Sequence, residues 1–200
     1  ISLSVTDSSG SGENGNTVTQ SNTGGIVGGF ENSSYASVSQ CAYSGTITTS
    51  GTGAFINLGG IVGIAGTISN CTTSGAINMA GGRMENVGGI AGRVYSSTTN
   101  CISNMSITLN SNANKYGISN IQYVGGLVGN GVTITNCTTN GTITASASNS
   151  FDSYYAQINY VGGLVGTAYT ISSSSASGAI NIKSGKSAQY VGCLLYTSDA

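Results

Sequence analysis

The chain repeats, and the repeat can be followed residue by residue. VGGLVG at Val124–Gly129 returns as VGGLVG at Val161–Gly166, VGGIAG at Val87–Gly92, LGGIVG at Leu58–Gly63 and TGGIVG at Thr23–Gly28. A sixth copy opens as YVG at Tyr190–Gly192. The leading glycines, Gly24, Gly59, Gly88, Gly125, Gly162 and Gly192, lie 35, 29, 37, 37 and 30 residues apart. Recurrence at this period describes a stack of similar units, each burying its apolar residues against its neighbours, and not one irregular globule.

A second motif follows each glycine block: VSQCAYSGTIT from Val38, ISNCTTSGAIN from Ile68, TTNCISNMSIT from Thr98, ITNCTTNGTIT from Ile134 and ISSSSASGAIN from Ile171. Its last apolar column is isoleucine in every copy: Ile47, Ile77, Ile107, Ile143 and Ile180. Small or polar residues flank each one, and this period-two alternation predicts a strand with one face inward. Stacked copies then form an isoleucine ladder, each buried member contributing about 1.5–3 kcal/mol.

Cys41, Cys71, Cys101 and Cys137 share one column, with Ser174 in the fifth copy. The column before it holds Gln40, Asn70, Asn100, Asn136 and Ser173. Asn tolerates the left-handed conformation of a sharp corner, and stacked amides can hydrogen-bond from unit to unit. Four residues after the cysteine column, Gly45, Gly75, Met105, Gly141 and Gly178 predict a second corner. Along Tyr123–Gly129 the apolar groups fall on both faces, predicting one strand covered on both sides, its glycines allowing close backbone approach or a bulge.

Three short strands per unit, two corners and one variable loop define a parallel β-helix (β-solenoid). It is all-β, with about five coils of 29–37 residues and, by the common hand of such folds, right-handed. The absence of Pro and the wealth of Ile, Val, Thr and Tyr agree with this. At about 4.8 Å per coil, five coils make a rod of about 24 Å. Differences in coil length are expected in loops such as Asn110–Gln122 and Ala145–Asn159.

The recurring G-G-[LI]-[VA]-G with a downstream N-C-x-x-x-G-x-I resembles the GLUG motif, over nearly the whole chain. That repeat occurs in large bacterial surface proteins, including adhesins similar to filamentous haemagglutinin and the non-catalytic regions of immunoglobulin A peptidases. The resemblance implies a β-helical repeat region at residues 1–192, extracellular or at the cell surface. It brings no catalytic residues with it. The chain starts at Ile1 without Met, which reads as an interior fragment, and Cys193–Ala200, CLLYTSDA, departs from the repeat. That octapeptide is similar to one translated frame of a transposon-derived sequencing adaptor, so residues 193–200 are expected to be a non-native tail.

Charge narrows the function further. Only 6% of residues are charged, the net charge is −1, and the five basic residues, Arg83, Arg93, Lys115, Lys183 and Lys186, form no continuous stripe. Neither nucleic acid nor insertion into a membrane is expected. A phosphate-binding loop needs a following helix with Lys and Ser/Thr, and no copy of the glycine block has one. There is no His, and the cysteines lack the paired spacing of a zinc site, so neither metal nor cofactor is expected. The cysteine column reads as buried free thiols serving as small hydrophobes, against stacked disulfides whose dihedral angle the register would fit poorly.

Enzymatic chemistry is not expected. Asp7, Glu13, Glu31, Glu85 and Asp152 are scattered and mostly in loops, and the Arg83/Glu85 pair reads as a solvated loop pair. No imidazole is present to activate a nucleophile, and no second group converges for acid–base work. A carbohydrate-active β-helix enzyme remains the remote alternative. Lattice recognition through T-x-T strands, as at Thr46–Thr48 and Thr142–Thr144, fails on the interruptions Ala76, Asn78, Ala179 and Asn181.

Tyr123, Tyr160 and Tyr190 each precede a Val-Gly step, where Asn57 and Asn86 stand in earlier copies. This column reads as a structural stack, against a sugar-binding strip aided by the loop residues Tyr116, Tyr154 and Tyr155. The expectation is a structural and adhesive repeat segment of a secreted or surface-anchored protein. Its partners would be a host surface protein or a glycan, besides the neighbouring repeats of the same chain. The alternative is the non-catalytic stalk of a large surface zinc peptidase.

Overall fold

The structure is a computed structural model that describes residues 2–6, 22–30, 34–51, 53–113, 119–149 and 156–193, with only the backbone described at 2–6, 113 and 149. Among these residues the chain is all-β, and every strand pairing is parallel. Three sheets run along the rod, each receiving strands from successive coils. This is a parallel β-helix.

The most complete coils are the second and third. The second contributes β5 (Ala54–Gly59), β6 (Val62–Ser69) and β7 (Thr72–Gly81), and the third β8 (Arg83–Gly88), β9 (Ala91–Thr99) and β10 (Ile102–Ala113). Before them lie β1 (Ser2–Thr6), β2 (Thr23–Gly24), β3 (Ser37–Ser39) and β4 (Ala42–Ser50). The fourth coil is more broken: β11 (Ser119–Gly125), β12 (Val128–Asn130), β13 (Thr133–Thr135), β14 (Thr138–Thr139) and β15 (Ile143–Asn149). The fifth repeats that pattern as β16 (Ala156–Gly162), β17 (Val165–Thr167), β18 (Thr170–Ser172), β19 (Ser175–Ala176) and β20 (Ile180–Ser184), and β21 (Ser187–Gly192) opens the next. The first sheet is β2-β5-β8-β11-β16-β21; β3, β6, β9, β12, β13, β17 and β18 form the second. The remaining strands, from β1 and β4 to β20, form the third.

The isoleucines pair in register through the third sheet, Ile47 with Ile77, Ile77 with Ile107, Ile107 with Ile143 and Ile143 with Ile180. The first four are completely buried, and Ile180 is half-buried. Each coil therefore adds apolar side chains to columns already formed, which is how a chain poor in large hydrophobes still builds a continuous core.

Three expectations are corrected. The glycine block is a corner between the first and second sheets and not a strand: β5, β8, β11 and β16 end at its first glycine, and the backbone bends through the next two residues. Val124, Leu127 and Val128 are all fully buried as the chain turns around them. Space explains the glycines. A methyl group on Gly89 would run into the carbonyl oxygen of Gly126 in the next coil and the hydroxyl of Ser103 across the interior. The corner amides bond from coil to coil, as Ile61 N does to Ile90 O at 2.9 Å, so even the turns are covered.

The Gly45 column is no corner between sheets. Gly45, Gly75 and Met105 lie inside the continuous strands β4, β7 and β10, and Met105 is completely buried. Of these residues Gly75 alone has a positive φ, +116°. Gly141 and Gly178 fall where the third sheet breaks, and a side chain on either would strike the backbone of the coil before.

The segments expected as long loops are strand wherever they are described, although the coil-length difference does fall there, between the pairs Ser111 with Gly81 and Asn120 with Arg83. β10 runs to Ala113 and β11 starts at Ser119, while β15 runs to Asn149 and β16 starts at Ala156. Small residues such as Ala145, Ala147 and Ala156 extend the buried columns there, which their low hydrophobicity concealed.

Candidate functional site

The outer groove between the first and second sheets is set by one residue per coil in the left-handed conformation. These are Asn57, Asn86, Tyr123, Tyr160 and Tyr190, with φ of 57, 54, 54, 56 and 54°. The ladder steps over them: Ile56 pairs with Glu85 and Leu58 with Val87. Each is a kink that bends the first sheet toward the corner. Among residues with a side chain Asn pays little for this conformation, because its short amide bonds locally. The amides form a chain, Asn57 Nδ2 to Asn22 Oδ1 at 2.9 Å and Asn86 Nδ2 to Asn57 Oδ1 at 2.8 Å.

From the fourth coil tyrosine takes over. The rings of Tyr123 and Tyr160 stack at 5.1 Å and those of Tyr160 and Tyr190 at 4.7 Å, nearly parallel at 19° and 7°. Tyr160 is stacked on both faces and Tyr123 and Tyr190 on one each, so most of the ring faces a sugar strip would offer are used within the stack. The switch from Asn to Tyr leaves Asn86 Oδ1 buried without a hydrogen-bond partner, because no amide follows it.

Where the column is Asn, the groove stays open as a cleft of about 450 Å3. Arg83 and Glu85 line its first-sheet wall on β8, two residues apart on one face and joined as an ion pair, Arg83 Nη2 to Glu85 Oε2. Their side chains are 40% and 20% exposed, so the expected solvated loop pair is in fact a half-buried strand pair. Arg83 Nε is buried with no partner. On the second-sheet wall Arg93 lies over the ring of Tyr95, 4.8 Å from its centre, and apolar surface comes from Ile64 on that wall and from Ile56 on the first-sheet wall.

Tyr95 reaches the cleft through a one-residue irregularity in the third coil. Ala65 pairs with Val94 but Thr67 with Ser97, so β9 spends one more residue than β6. The fourth coil confirms the count, since Asn130 pairs with Arg93 and Thr133 with Ser97. The bulge at Tyr95 and Ser96 turns a tyrosine outward, where it is 39% exposed.

The other corner is the predicted one. Gln40, Asn70, Asn100, Asn136 and Ser173 have φ of 55, 53, 54, 53 and 49°, and Asn136 Nδ2 donates to Asn100 Oδ1 at 2.7 Å. Cys71, Cys101 and Cys137 are completely buried, Cys41 is half-buried, Cys193 is exposed, and all five are free. Each column thiol donates to the carbonyl two residues before it, at 3.2 Å for Cys71, Cys101 and Cys137. Burial pushes the Cys71 thiol up to about 11. Hydrogen bonding to Cys137, with burial, raises Cys101 as well, so that Cys137 ionises first of that pair.

Tyr116, Tyr154 and Tyr155 lie outside the described residues, as do Lys115, Asp7, Glu13, Glu31 and Asp152. Among the described residues no three of Cys, Asp and Glu gather as a metal site. The cleft itself went unread in the sequence, although one signal was there: Val87 to Cys101 is 14 residues where Leu58 to Cys71 and Val124 to Cys137 are 13. Comparison of the chain with protein-family models, curated proteins and solved structures gives no match.

Proposed function

We propose that the chain is a rigid, non-catalytic repeat segment of a secreted or surface-anchored bacterial protein, spanning distance and presenting its outer columns for adhesion to a host protein or glycan. The observation that carries this reading is the in-register stacking. Hydrogen bonds and buried columns pass from coil to coil through all three sheets, so the rod can lengthen by whole coils while its outer residues vary. The outer columns of the third sheet are small and uncharged over four coils, as in Thr48, Asn78, Thr108 and Thr144. Such a surface resists nonspecific electrostatic capture and leaves recognition to local features.

The test is retention. Beads coated with the 200-residue chain should bind epithelial cell layers above beads carrying the same mass of a Gly89→Leu, Gly126→Leu variant, whose array cannot close. Equal retention overturns the adhesive reading.

A further inference from the structure

We infer that the cleft of the second and third coils binds an acidic sugar: a pyranose ring carrying one carboxylate. This rests on the adhesive reading and gives it a ligand class.

Charge is the first argument. Five charged side chains lie among the described residues, and three of them, Arg83, Glu85 and Arg93, line this one cleft. Arg83 is matched by Glu85. Arg93 meets the face of Tyr95 and has no carboxylate among the described residues. A guanidinium stacked on a ring keeps its N–H edge for a planar acceptor, and a carboxylate fills that edge with two parallel bonds. Among the described residues the cleft thus carries a net charge of +1, the complement of one carboxylate; a phosphate or a polyanion would call for more than one uncompensated cation.

The rest of the wall is that of a sugar site. Asn22 and Asn57 bring amides, and Glu85 brings acceptor oxygens, a mixture that suits neighbouring hydroxyls, which both donate and accept. Ile56, Ile64 and Tyr95 offer apolar surface to ring C–H groups. The volume falls within the roughly 300–1,000 Å3 of small-molecule sites.

Two independent departures from the repeat build the cleft. The extra residue in β9 puts Tyr95 there, and Asn at the left-handed positions leaves room that the Tyr123 stack fills one coil later. Bulges that re-aim a side chain gather at functional sites. The same reasoning supplies the control variant: Asn86→Tyr places in the third coil the residue that Tyr123 and Tyr160 already carry at φ of 54 and 56°. It should extend the stack, keep the fold and close the cleft.

The experiment titrates the full chain with methyl glucuronide, the methyl ester of its carboxylate and a Glu-rich peptide, followed by calorimetry. The acid form should bind, the ester and the Arg93→Gln variant should each lose about tenfold, and Asn86→Tyr should lose binding with its thermal transition intact. A charge-assisted contact of this strength is worth about one decade in Kd. Equal binding of acid and ester, tighter binding of the peptide, no binding of the acid, or an unaffected Arg93→Gln variant overturns the assignment. Should Asn86→Tyr unfold, Arg93→Gln and the ester decide alone. Cell retention by a parent chain that binds no acidic sugar would sink the cleft while sparing adhesion, and parent retention no better than that of the Gly89→Leu, Gly126→Leu variant would sink adhesion itself.

Discussion

The amide of Cys137 donates to the hydroxyl of Ser174 one coil on, at 3.0 Å, and Ser174 Oγ donates in turn to the carbonyl of Ser172 at 2.7 Å. Thiols do the same work earlier in the column: Cys71 N meets Cys101 Sγ at 3.5 Å, and Cys101 Sγ meets Thr99 O at 3.2 Å. The position asks for a small group that accepts from the coil before and donates to its own corner. Cys101→Ser keeps both bonds and should lie within about 1 kcal/mol of the parent. Cys101→Ala leaves a buried amide unmet and should cost about 1–3 kcal/mol. Urea unfolding of the two variants orders them, and Ala more stable than Ser would remove the clamp role.

The same burial makes a pH prediction. A thiol whose folded pKa is raised stays protonated longer in the fold, so its contribution is complete below the ordinary value of 9.0 and is lost as pH rises toward about 11. Stability should therefore fall between about pH 9 and pH 11, and less steeply in Cys71→Ser, whose hydroxyl does not titrate there. Parallel slopes for parent and variant would contradict this. At neutral pH an aromatic disulfide reagent should label Cys193 readily and Cys71, Cys101 and Cys137 only on unfolding.

The isoleucine ladder gives a graded series. Ile107→Ala should cost about 2–5 kcal/mol, because Ile77 and Ile143 lie in register on either side and the cavity cannot collapse. Ile180→Ala, half-buried, should cost clearly less. Equal losses would mean that the column does not share load between neighbours.

These columns were legible because a solenoid repeats its environment: Ile, Cys and Asn recur wherever the same corner or interior slot recurs. The glycine block misled because apolar residues on both sides of a strand look the same as apolar residues around a buried corner. Leu127 and Val128 are buried for the second reason. The cleft lay outside the rule by nature. It is made from what the repeat does not do, the extra residue beside Tyr95 and the change from Asn86 to Tyr123, and a consensus reading averages such departures away. Arg83 and Glu85 read as a loop because charges seldom sit inside strands this short of charge.

The left-handed column makes the last prediction. Tyr160 holds φ of 56° with both ring faces stacked, on Tyr123 and on Tyr190. Two quantities are therefore separable there: the backbone cost of the conformation and the gain from the stack. Tyr160→Asn lowers the first and removes the second, which is worth about 0.5–1.5 kcal/mol per pair. Tyr160→Val removes the stack and adds a β-branched residue where positive φ is an outlier. The order of stability should be Tyr, then Asn, then Val, with Val below Asn by about 1–2 kcal/mol, the usual penalty of the left-handed region. Thermal unfolding followed by circular dichroism measures it. Val equal to Asn would mean that the kink relaxes to negative φ on substitution, and the groove would then owe its shape to side-chain stacking and not to the backbone.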